Sequence, residues 1–246
     1  AILNMESFTS HIVSVFEDNE ATKNLIDEES AGVLCRICNA LKKENKITNL
    51  TAICDDEGIL LKHFCDSAAA VPYIPKSALV FDIGCGGGFP SLVIASLRND
   101  VSIISIDSVG KKLNSVSRIA LGAGLKNLKT ENSRAEVLGK DPKFRESADV
   151  VCARAVAELN TLAEFCLPLV KVGGIFIAMK AQSAQAELSK AGNAIQLLGG
   201  RVRNTVTYML KNSHESIERT LVIIEKVAKT PDKYPRNSAQ IAKKPL

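Results

Sequence analysis

A glycine-rich turn directly after an apolar run is the first place in this chain where residue types and spacing could do chemistry. Residues 80–89 read VFDIGCGGGF, a D-x-G-x-G-x-G pattern formed by Asp82, Gly84, Gly86 and Gly88. Glycines at this spacing let a backbone turn tightly and pass close to a ligand, because they lack a Cβ atom. The dinucleotide fingerprint needs a glycine at the sixth position, where Phe89 or Ser91 stands in the two registers. The pattern therefore favours S-adenosylmethionine (SAM) over NAD and indicates a methyltransferase.

A carboxylate follows the next apolar run at the distance expected for a ribose contact. Residues 101–106 read VSIISI, which indicates a buried strand, and Asp107 follows directly. A carboxylate about 20 residues beyond the glycine turn can accept hydrogen bonds from both ribose hydroxyls of an adenosine cofactor. Asp107 precedes Ser108 and Gly110, so it also fits the common alternative of a helix cap.

The elements that must position these residues alternate along the chain. Strands are predicted near residues 79–83, 101–106, 126–130, 148–152 and 173–179, with helices near 90–98, 110–122, 134–139, 158–169 and 183–198. This alternation is typical of a doubly wound, Rossmann-like α/β sheet, and with the glycine pattern it predicts the sheet of a class I SAM-dependent methyltransferase. Ligands of such sheets bind beyond the carboxyl ends of the strands.

Segments of different character flank the predicted sheet. Helices are predicted near residues 2–16, 20–43 and 56–70, and strand-like runs at 201–210 and 219–227 predict a C-terminal antiparallel hairpin. We therefore expect an N-terminal helical segment over residues 1–75, packed on the core, and a methyltransferase domain over residues 76–246 with a basic C-terminal tail.

Composition narrows the class of protein. The 246 residues are 46% hydrophobic, enough for a full core. The sequence has no run of 18 apolar residues and no N-terminal basic region followed by an apolar one, which predicts neither a membrane span nor a signal peptide and favours the cytoplasm. The seven cysteines fit a reducing compartment. Cys35 and Cys38 form a single C-x-x-C without a second ligand pair, so their helical spacing indicates a buried helix face rather than a zinc or redox site.

The residues at the end of the predicted fourth strand limit the classes of methyl acceptor. It reads VVCARAV, without the Asn or Asp followed by two prolines that enzymes acting on exocyclic amines use. Cys152 lacks the adjacent proline of the pyrimidine-C5 motif and lies in an apolar run, so we interpret it as structural. A ring nitrogen such as N7 of guanine needs neither device, because its lone pair attacks the methyl group directly and catalysis is mostly positioning.

Basic residues cluster next to the predicted site and at the end of the chain. Lys111, Lys112 and Arg118 fall on the helix after Asp107, and residues 226–246 contain six Lys or Arg against one Asp. Solvated helix faces have similar compositions. A basic rim beside a cofactor site nevertheless favours a polyanionic substrate.

Separated motifs over residues 40–246 agree with one known family. They are N-x-x-x-NLTAI from Asn45, KHxxDS from Lys62, DIGCGGGFP from Asp82, DSxGK from Asp107, SRAE from Ser133, ARA from Ala153, YPR from Tyr234 and KKPL from Lys243. Together they resemble the RsmG (GidB) family of bacterial 16S ribosomal RNA guanine-N7 methyltransferases. The sequence departs from that pattern at Ser91, where a glycine is usual, and at Glu44, where a tryptophan is common.

The resemblance implies that SAM methylates N7 of a guanine in the 530 loop of 16S ribosomal RNA. With the glycine pattern, it implies a cofactor site without a metal, made of Asp82, Gly84, Gly86, Gly88, Phe89, Asp107, Ser108, Ala135, Glu136 and Arg154. Gly84 and Phe89 are expected to line the pocket. Arg154 is expected to act in catalysis by positioning, with no general base, and His63 to brace the helical segment.

The expected partner is 16S ribosomal RNA or a precursor of the small ribosomal subunit, with the chain acting as a monomer away from membranes. Candidates for RNA contact are Lys111, Lys112, Arg118, Lys180, Arg236 and Lys243. Three alternatives remain open: a methyltransferase of a small molecule or another RNA, an inactive RNA-binding protein with the same fold, and an NAD-dependent oxidoreductase.

Overall fold

The computed structural model describes residues 5–181 and 184–246 and contains a seven-stranded mixed sheet. Its order is β3-β2-β1-β4-β5-β7-β6, in which β1 to β5 are parallel and β7 runs antiparallel to both β5 and β6. The strands are β1 Leu79–Ile83, β2 Ser102–Asp107, β3 Leu128–Asn132, β4 Ala148–Arg154, β5 Val170–Lys180, β6 Gly200–Lys211 and β7 Ser216–Lys226. The predicted doubly wound sheet with a C-terminal antiparallel hairpin is confirmed.

Helices cover the sheet and extend beyond it at both ends of the chain. They are α1 Met5–Glu17, α2 Glu28–Thr48, α3 Asp56–Gly58, α4 Asp66–Ala68, α5 Ser91–Leu97, α6 Gly110–Ala123, α7 Ala135–Leu138, α8 Leu159–Cys166, α9 Ala184–Leu197 and α10 Ser238–Lys243. A π-helix, Ile59–Cys65, joins α3 to α4 without a break, and short 3-10 helices lie at Val71–Tyr73 and Leu167–Leu169.

The N-terminal helices share a buried core with the helices next to the glycine turn. Phe16 of α1, Leu34 of α2 and Phe64 of the π-helix belong to one apolar cluster with Leu92 of α5 and Val116 of α6. Burial of large apolar side chains is the main stabilising contribution to such contacts. The division of the chain at residue 75 stays a prediction.

Asn45 ties the loop after α2 against the glycine turn. Its Oδ1 accepts hydrogen bonds from the backbone N–H groups of Leu50 at 2.6 Å and Thr51 at 2.9 Å, and its Nδ2 donates to the Thr51 carbonyl at 2.9 Å. Asn49 ends the helix in the left-handed region, with φ 49°. A Cβ atom on Gly87 would lie 3.3 Å from the carbonyl oxygen of Leu50. The N-x-x-x-NLT motif therefore supports the glycine turn.

Boundaries differ from the predicted ones where local capping overrides the apolar pattern. Helix α2 begins at Glu28 rather than near residue 20, because the Asp27 carboxylate accepts a hydrogen bond from the Ser30 N–H at 2.8 Å and caps the helix there. Strand β3 begins two residues later than predicted. The tail forms an unpredicted helix, α10, whose first turn is closed by a reciprocal capping box between Asn237 and Gln240. The predicted helix starts at residues 2 and 183 lie outside the described residues.

Candidate active site

A cavity of about 460 Å³ opens at the carboxyl ends of β1, β2 and β4 and beside the start of α7. Open α/β sheets bind their ligands at this edge. The cavity is lined by Ile83, Gly84, Gly86, Ile106, Asp107, Ser108, Lys112, Ser133, Arg134, Ala135, Glu136, Arg154, Ala155, Val156 and Phe165. Most of the predicted cofactor residues are thus brought together from four separate parts of the sequence.

The glycine turn needs its glycines for two different reasons. Gly84 and Gly86 have φ +68° and +55°, a region that other residues rarely adopt. A Cβ atom on Gly84 would lie 2.7 Å from Cγ2 of Val156, so packing excludes it. A Cβ atom on Gly86 would come no closer than 4.0 Å to any neighbouring atom, the Gly84 carbonyl oxygen. Since Gly86 lines the cavity, its missing side chain leaves room for a ligand.

Asp107 crosslinks the end of β2 to the glycine turn. One carboxylate oxygen accepts a hydrogen bond from the Gly86 N–H at 2.9 Å, and the other accepts from the Val109 N–H at 2.8 Å. The second contact closes a turn before α6, whose N-cap is Val109 and which has no side-chain cap, so the helix-cap alternative for Asp107 is wrong. Each carboxylate oxygen can accept more than one hydrogen bond, so Asp107 can still bind hydroxyl groups in the cavity. The two backbone contacts of Asp107 are therefore compatible with ligand binding.

Asp82 is buried behind the glycine turn and does not line the cavity. Its Oδ2 accepts a hydrogen bond from the Ser91 N–H at 3.0 Å, and its Oδ1 has no hydrogen-bond partner among the described residues. Burial raises the pKa of this carboxyl group to about 6. The hydroxyl of Ser91, which replaces the usual glycine, accepts a hydrogen bond from the Ser105 hydroxyl at 2.7 Å. Asp82 thus binds the first residue of α5 through Oδ2, while its Oδ1 is unpaired among the described residues.

Gly88 and Phe89 also depart from their expected place, because both are buried outside the cavity lining. A Cβ atom on Gly88 would lie 2.5 Å from Cδ1 of Leu92. The Phe89 ring, only 3% exposed, stacks on the His63 ring with centroids 4.5 Å apart. The expectation that Phe89 lines the pocket is corrected: it supports the turn from behind.

Arg154 reaches from the end of β4 to the N-terminal helical segment. Its Nη1 donates to the Lys62 carbonyl at 2.8 Å and to the Asp66 carboxylate at 3.2 Å, and its Nη2 donates to Nδ1 of His63 at 3.0 Å. Asp66 also accepts a hydrogen bond from the Tyr208 hydroxyl at 2.9 Å. The KHxxDS motif is therefore connected to the cavity through Arg154. The sequence did not indicate this contact, because the motif and Arg154 are far apart along the chain.

A family model described as rRNA small subunit methyltransferase G matches residues 33–218. The chain belongs to this family. A relative named Ribosomal RNA small subunit methyltransferase G from Exiguobacterium sp. is 44% identical over 213 residues, which cover 86% of this chain and 89% of the relative. The protein of the same name from Clostridium novyi is 37% identical over 246 residues and covers 99% and 100% of the two chains.

Solved structures similar to this chain agree on the fold. A SAM-dependent methyltransferase from Aquifex aeolicus has a TM-score of 0.52 at 16% identity over 74% of this chain and 97% of its own. A SAM-dependent O-methyltransferase from Thermotoga maritima has a TM-score of 0.51 at 12% identity over 78% and 72%. At such low identity the likeness is evidence for the fold alone, and it agrees with the class I methyltransferase sheet of the family.

Three of the cations predicted to contact RNA are paired with carboxylates of the protein itself. Lys180 is 8% exposed and donates to the Ala157 carbonyl at 2.8 Å and to the Glu187 carboxylate at 2.6 Å. Arg236 binds the fully buried Glu164 carboxylate with Nη2 at 2.6 Å. The remaining one, Arg118, is half exposed but makes two hydrogen bonds to the Glu44 carboxylate, at 2.9 and 2.7 Å. Burial and pairing correct the expectation for Lys180 and Arg236, whose role here is structural.

The other predicted cations remain accessible. Lys111 and Lys243 are exposed, and Lys112 is half-buried at the cavity. Arg134, which had been noted only as part of a motif, also lines the cavity and is 62% exposed. Val156 and Phe165 also line the cavity, and nothing in the sequence indicates this, because an apolar residue can equally belong to the core. Arg134 could have been found from its place at the start of the helix after β3.

Burial of three cysteines agrees with their interpretation as structural residues. Cys35, Cys38 and Cys152 are free thiols and fully or almost fully buried, and burial raises the pKa of Cys38 to about 12. Residues 5–181 and 184–246 contain no group of three His, Cys, Asp or Glu side chains placed to hold a metal ion. In the same ranges, no helix combines the length and the apolar character that crossing a membrane requires.

Removing Arg236 should destabilise the protein, whereas removing Lys243 should not. Arg236→Ala leaves the buried Glu164 carboxylate without its ion partner, and we expect a loss of about 2–3 kcal/mol in the free energy of unfolding because Arg236 is partly exposed. Lys243→Ala is the matched control, since it removes an exposed cation of the same tail. Urea denaturation measures both variants. Equal stabilities of the two would contradict the structural role of Arg236.

Stability should fall in mild acid because of His63. Burial and the neighbouring Arg154 lower the pKa of His63 from 6.5 to about 3 in the folded protein. The unfolded chain then takes up a proton from about pH 6.5 downward while the folded protein does not, so stability present above pH 6.5 is lost as the pH falls towards 3. The stability gap between the unmodified protein and His63→Asn should narrow by about 2 kcal/mol from pH 7 to pH 5. If the difference in free energy of unfolding between the two proteins stays constant from pH 7 to pH 5, the assignment is refuted. His214→Asn, at an exposed site, serves as the control.

Proposed function

We propose that this chain transfers a methyl group from SAM to N7 of a guanine in the 530 loop of 16S ribosomal RNA. Membership of the small-subunit methyltransferase G family carries the proposal, because the match spans most of the chain. The cavity at the carboxyl edge of the sheet supports it, since the glycine turn, Asp107 and Glu136 meet there. We expect the reaction in the cytoplasm, on ribosomal RNA or a precursor of the small subunit.

The chemistry of the cavity residues supports SAM as the ligand. Gly86 leaves open space on the cavity side, and the Asp107 carboxylate has acceptor capacity left for ribose hydroxyls. Ala135 and Glu136 begin α7 beside Asp107, where they can border an adenine. When bound, SAM supplies an electrophilic methyl group on a sulfonium. The chain's part is to hold donor and acceptor in line, which is the main catalytic contribution for a reaction of this kind.

The proposed acceptor needs no general base and no protein nucleophile. N7 of guanine attacks with a lone pair and has no proton to lose. Cys85 and Cys152 lie near the cavity wall but are almost fully buried, and burial raises the pKa of both thiols far above the ordinary value. Covalent catalysis by either thiol is therefore disfavoured. These properties support a ring nitrogen over a pyrimidine carbon as the methyl acceptor.

We infer that exposed cations around the cavity bind the phosphates of the substrate. Lys112 and Arg134 line the cavity, and Lys111 is exposed at the start of α6. Contacts of this kind supply affinity without reading sequence. Lys243 is a further candidate on the tail, whereas Arg118 would first have to leave Glu44. Arg154 has no hydrogen bond from Nε in the described part of the chain, so this donor can serve a ligand in the cavity.

Gly86→Ala should weaken SAM binding by filling ligand space, and Gly124→Ala should not. Both glycines have positive φ, +55° and +84°, and neither has a neighbouring atom closer than 4.0 Å to an added Cβ. Backbone strain of about 1–2 kcal/mol is therefore common to the two variants. Only Gly86 lines the cavity. Calorimetric titration with SAM should show a loss of at least about ten-fold for Gly86→Ala alone, and similar affinities in both variants would argue against this cavity as the cofactor site.

Labelled SAM should transfer its methyl group to small ribosomal subunits that lack the modification. Chain cleavage at methylated N7 then maps the labelled nucleotide, which we expect to be a guanosine of the 530 loop. Subunits already modified should accept no label and provide the control. Label on a small molecule or on another RNA would support the alternative substrates, and SAM binding without any transfer would favour an inactive RNA-binding protein.

A further inference from the structure

His63 lies between the cavity residue Arg154 and the loop that supports the glycine turn. Its Nδ1 is 3.0 Å from Nη2 of Arg154, and its Nε2 is 2.8 Å from the Thr51 hydroxyl. An arginine side chain can only donate hydrogen bonds, so Nδ1 of His63 must be the acceptor. The ring proton is therefore on Nε2, which donates to the hydroxyl of Thr51. These two contacts assign one tautomer to His63.

The surroundings of the ring keep this tautomer neutral. His63 is 7% exposed, and its ring stacks on Phe89 with an interplanar angle of 5°. His63 contacts the charged guanidinium of Arg154, and Asp66 pairs with the same guanidinium at 3.2 Å. A second positive charge beside Arg154 would be unfavourable, and burial acts in the same direction. An unprotonated Nδ1 is the form of histidine that can bind an arginine.

We propose that His63 is a positioning residue that holds the Arg154 guanidinium at the cavity wall through its unprotonated Nδ1. The Lys62 carbonyl and the Asp66 carboxylate accept hydrogen bonds from Nη1 of Arg154, and His63 accepts one from Nη2. Three acceptors from one helical segment therefore fix the plane of the guanidinium. The Asn45 loop fixes His63 in turn, because Thr51 belongs to that loop. The inference rests on the proposed function and adds a residue that lies outside the cavity lining.

If His63 positions Arg154, its acceptor atom Nδ1 is what matters; if it only packs, its ring is what matters. Asparagine in place of His63 is smaller but can present an amide oxygen near the position of Nδ1. Phenylalanine keeps the ring and its stacking on Phe89 but offers no acceptor. If His63 only fills space, His63→Phe should be the milder change. If it positions Arg154, His63→Asn should be the milder change for SAM binding and methyl transfer.

Calorimetric SAM titrations of both variants, and of each in an Arg154→Met background, test the proposal. We expect His63→Phe to weaken SAM binding about ten-fold and His63→Asn by less than about three-fold, as for a charged donor left unpaired or paired again. With Arg154→Met, the change at His63 should add less than about two-fold, because the two residues act as one unit. His214→Phe, at an exposed position, should bind SAM normally.

Two outcomes would overturn the proposal: a weaker effect of His63→Phe than of His63→Asn, or full additivity with Arg154→Met. The proposed function fails in a different way, when the unmodified protein itself neither binds SAM nor methylates RNA. Nitrogen-15 shifts of the His63 ring in the unmodified protein give a test that needs no variant. We expect a protonated Nε2 and an unprotonated Nδ1 throughout pH 5–8. Titration of the ring in this range, or a proton on Nδ1, would rule out the acceptor role.

Discussion

The ion pair between Arg154 and Asp66 is the contact on which the arrangement of the cavity depends. Arg154 ends β4, whereas Asp66 lies in the helical segment before the sheet, and the two side chains are only 16% and 7% exposed. A guanidinium in such a place is costly unless charge and hydrogen bonds compensate it. Asp66 supplies the charge, while His63 and the Lys62 carbonyl supply the further acceptors. The N-terminal segment is consequently part of the site, because Arg154 has no other recorded carboxylate partner among the described residues.

Asp66 also connects the cavity to the far edge of the sheet. It accepts a hydrogen bond from Tyr208 of β6, and Arg219 of β7 approaches it at 3.6 Å. A single carboxylate thus joins the helical segment, the central strand β4 and the C-terminal hairpin. Loss of one partner in a buried network of this kind leaves the others unpaired, so its members are expected to act together. Residues distant in sequence thus act together on Arg154, the member of this network that lines the cavity.

The sequence was sufficient for those parts of the site that local backbone chemistry determines. The glycine turn and Asp107 were found because positive φ values and a carboxylate at a strand end leave a readable pattern. The position of Phe89 was not predictable in this way, because an apolar residue can either line a cavity or pack behind its wall. Burial of Lys180 and pairing of Arg236 were equally hidden, because a lysine or arginine in a sequence does not reveal a partner more than five residues away. Helix boundaries failed where Asp27 and Asn237 cap, although both residues are favoured N-caps and could have been recognised.

Pairing separates the basic residues of this chain into two groups with different roles. Arg154 and Arg236 each face a carboxylate that is at most 7% exposed, and mutual compensation of charge is then required for folding. Lys111 and Lys243 are exposed and have no carboxylate partner in the described ranges. Their positive charges are therefore not compensated within the protein and can attract a polyanion. A net charge of only +4 is therefore compatible with binding RNA, because the relevant quantity is the unpaired positive charge near the cavity and not the sum over the chain. Lys112 is half-buried and lines the cavity itself, so its charge lies where the proposed phosphate contacts would be made.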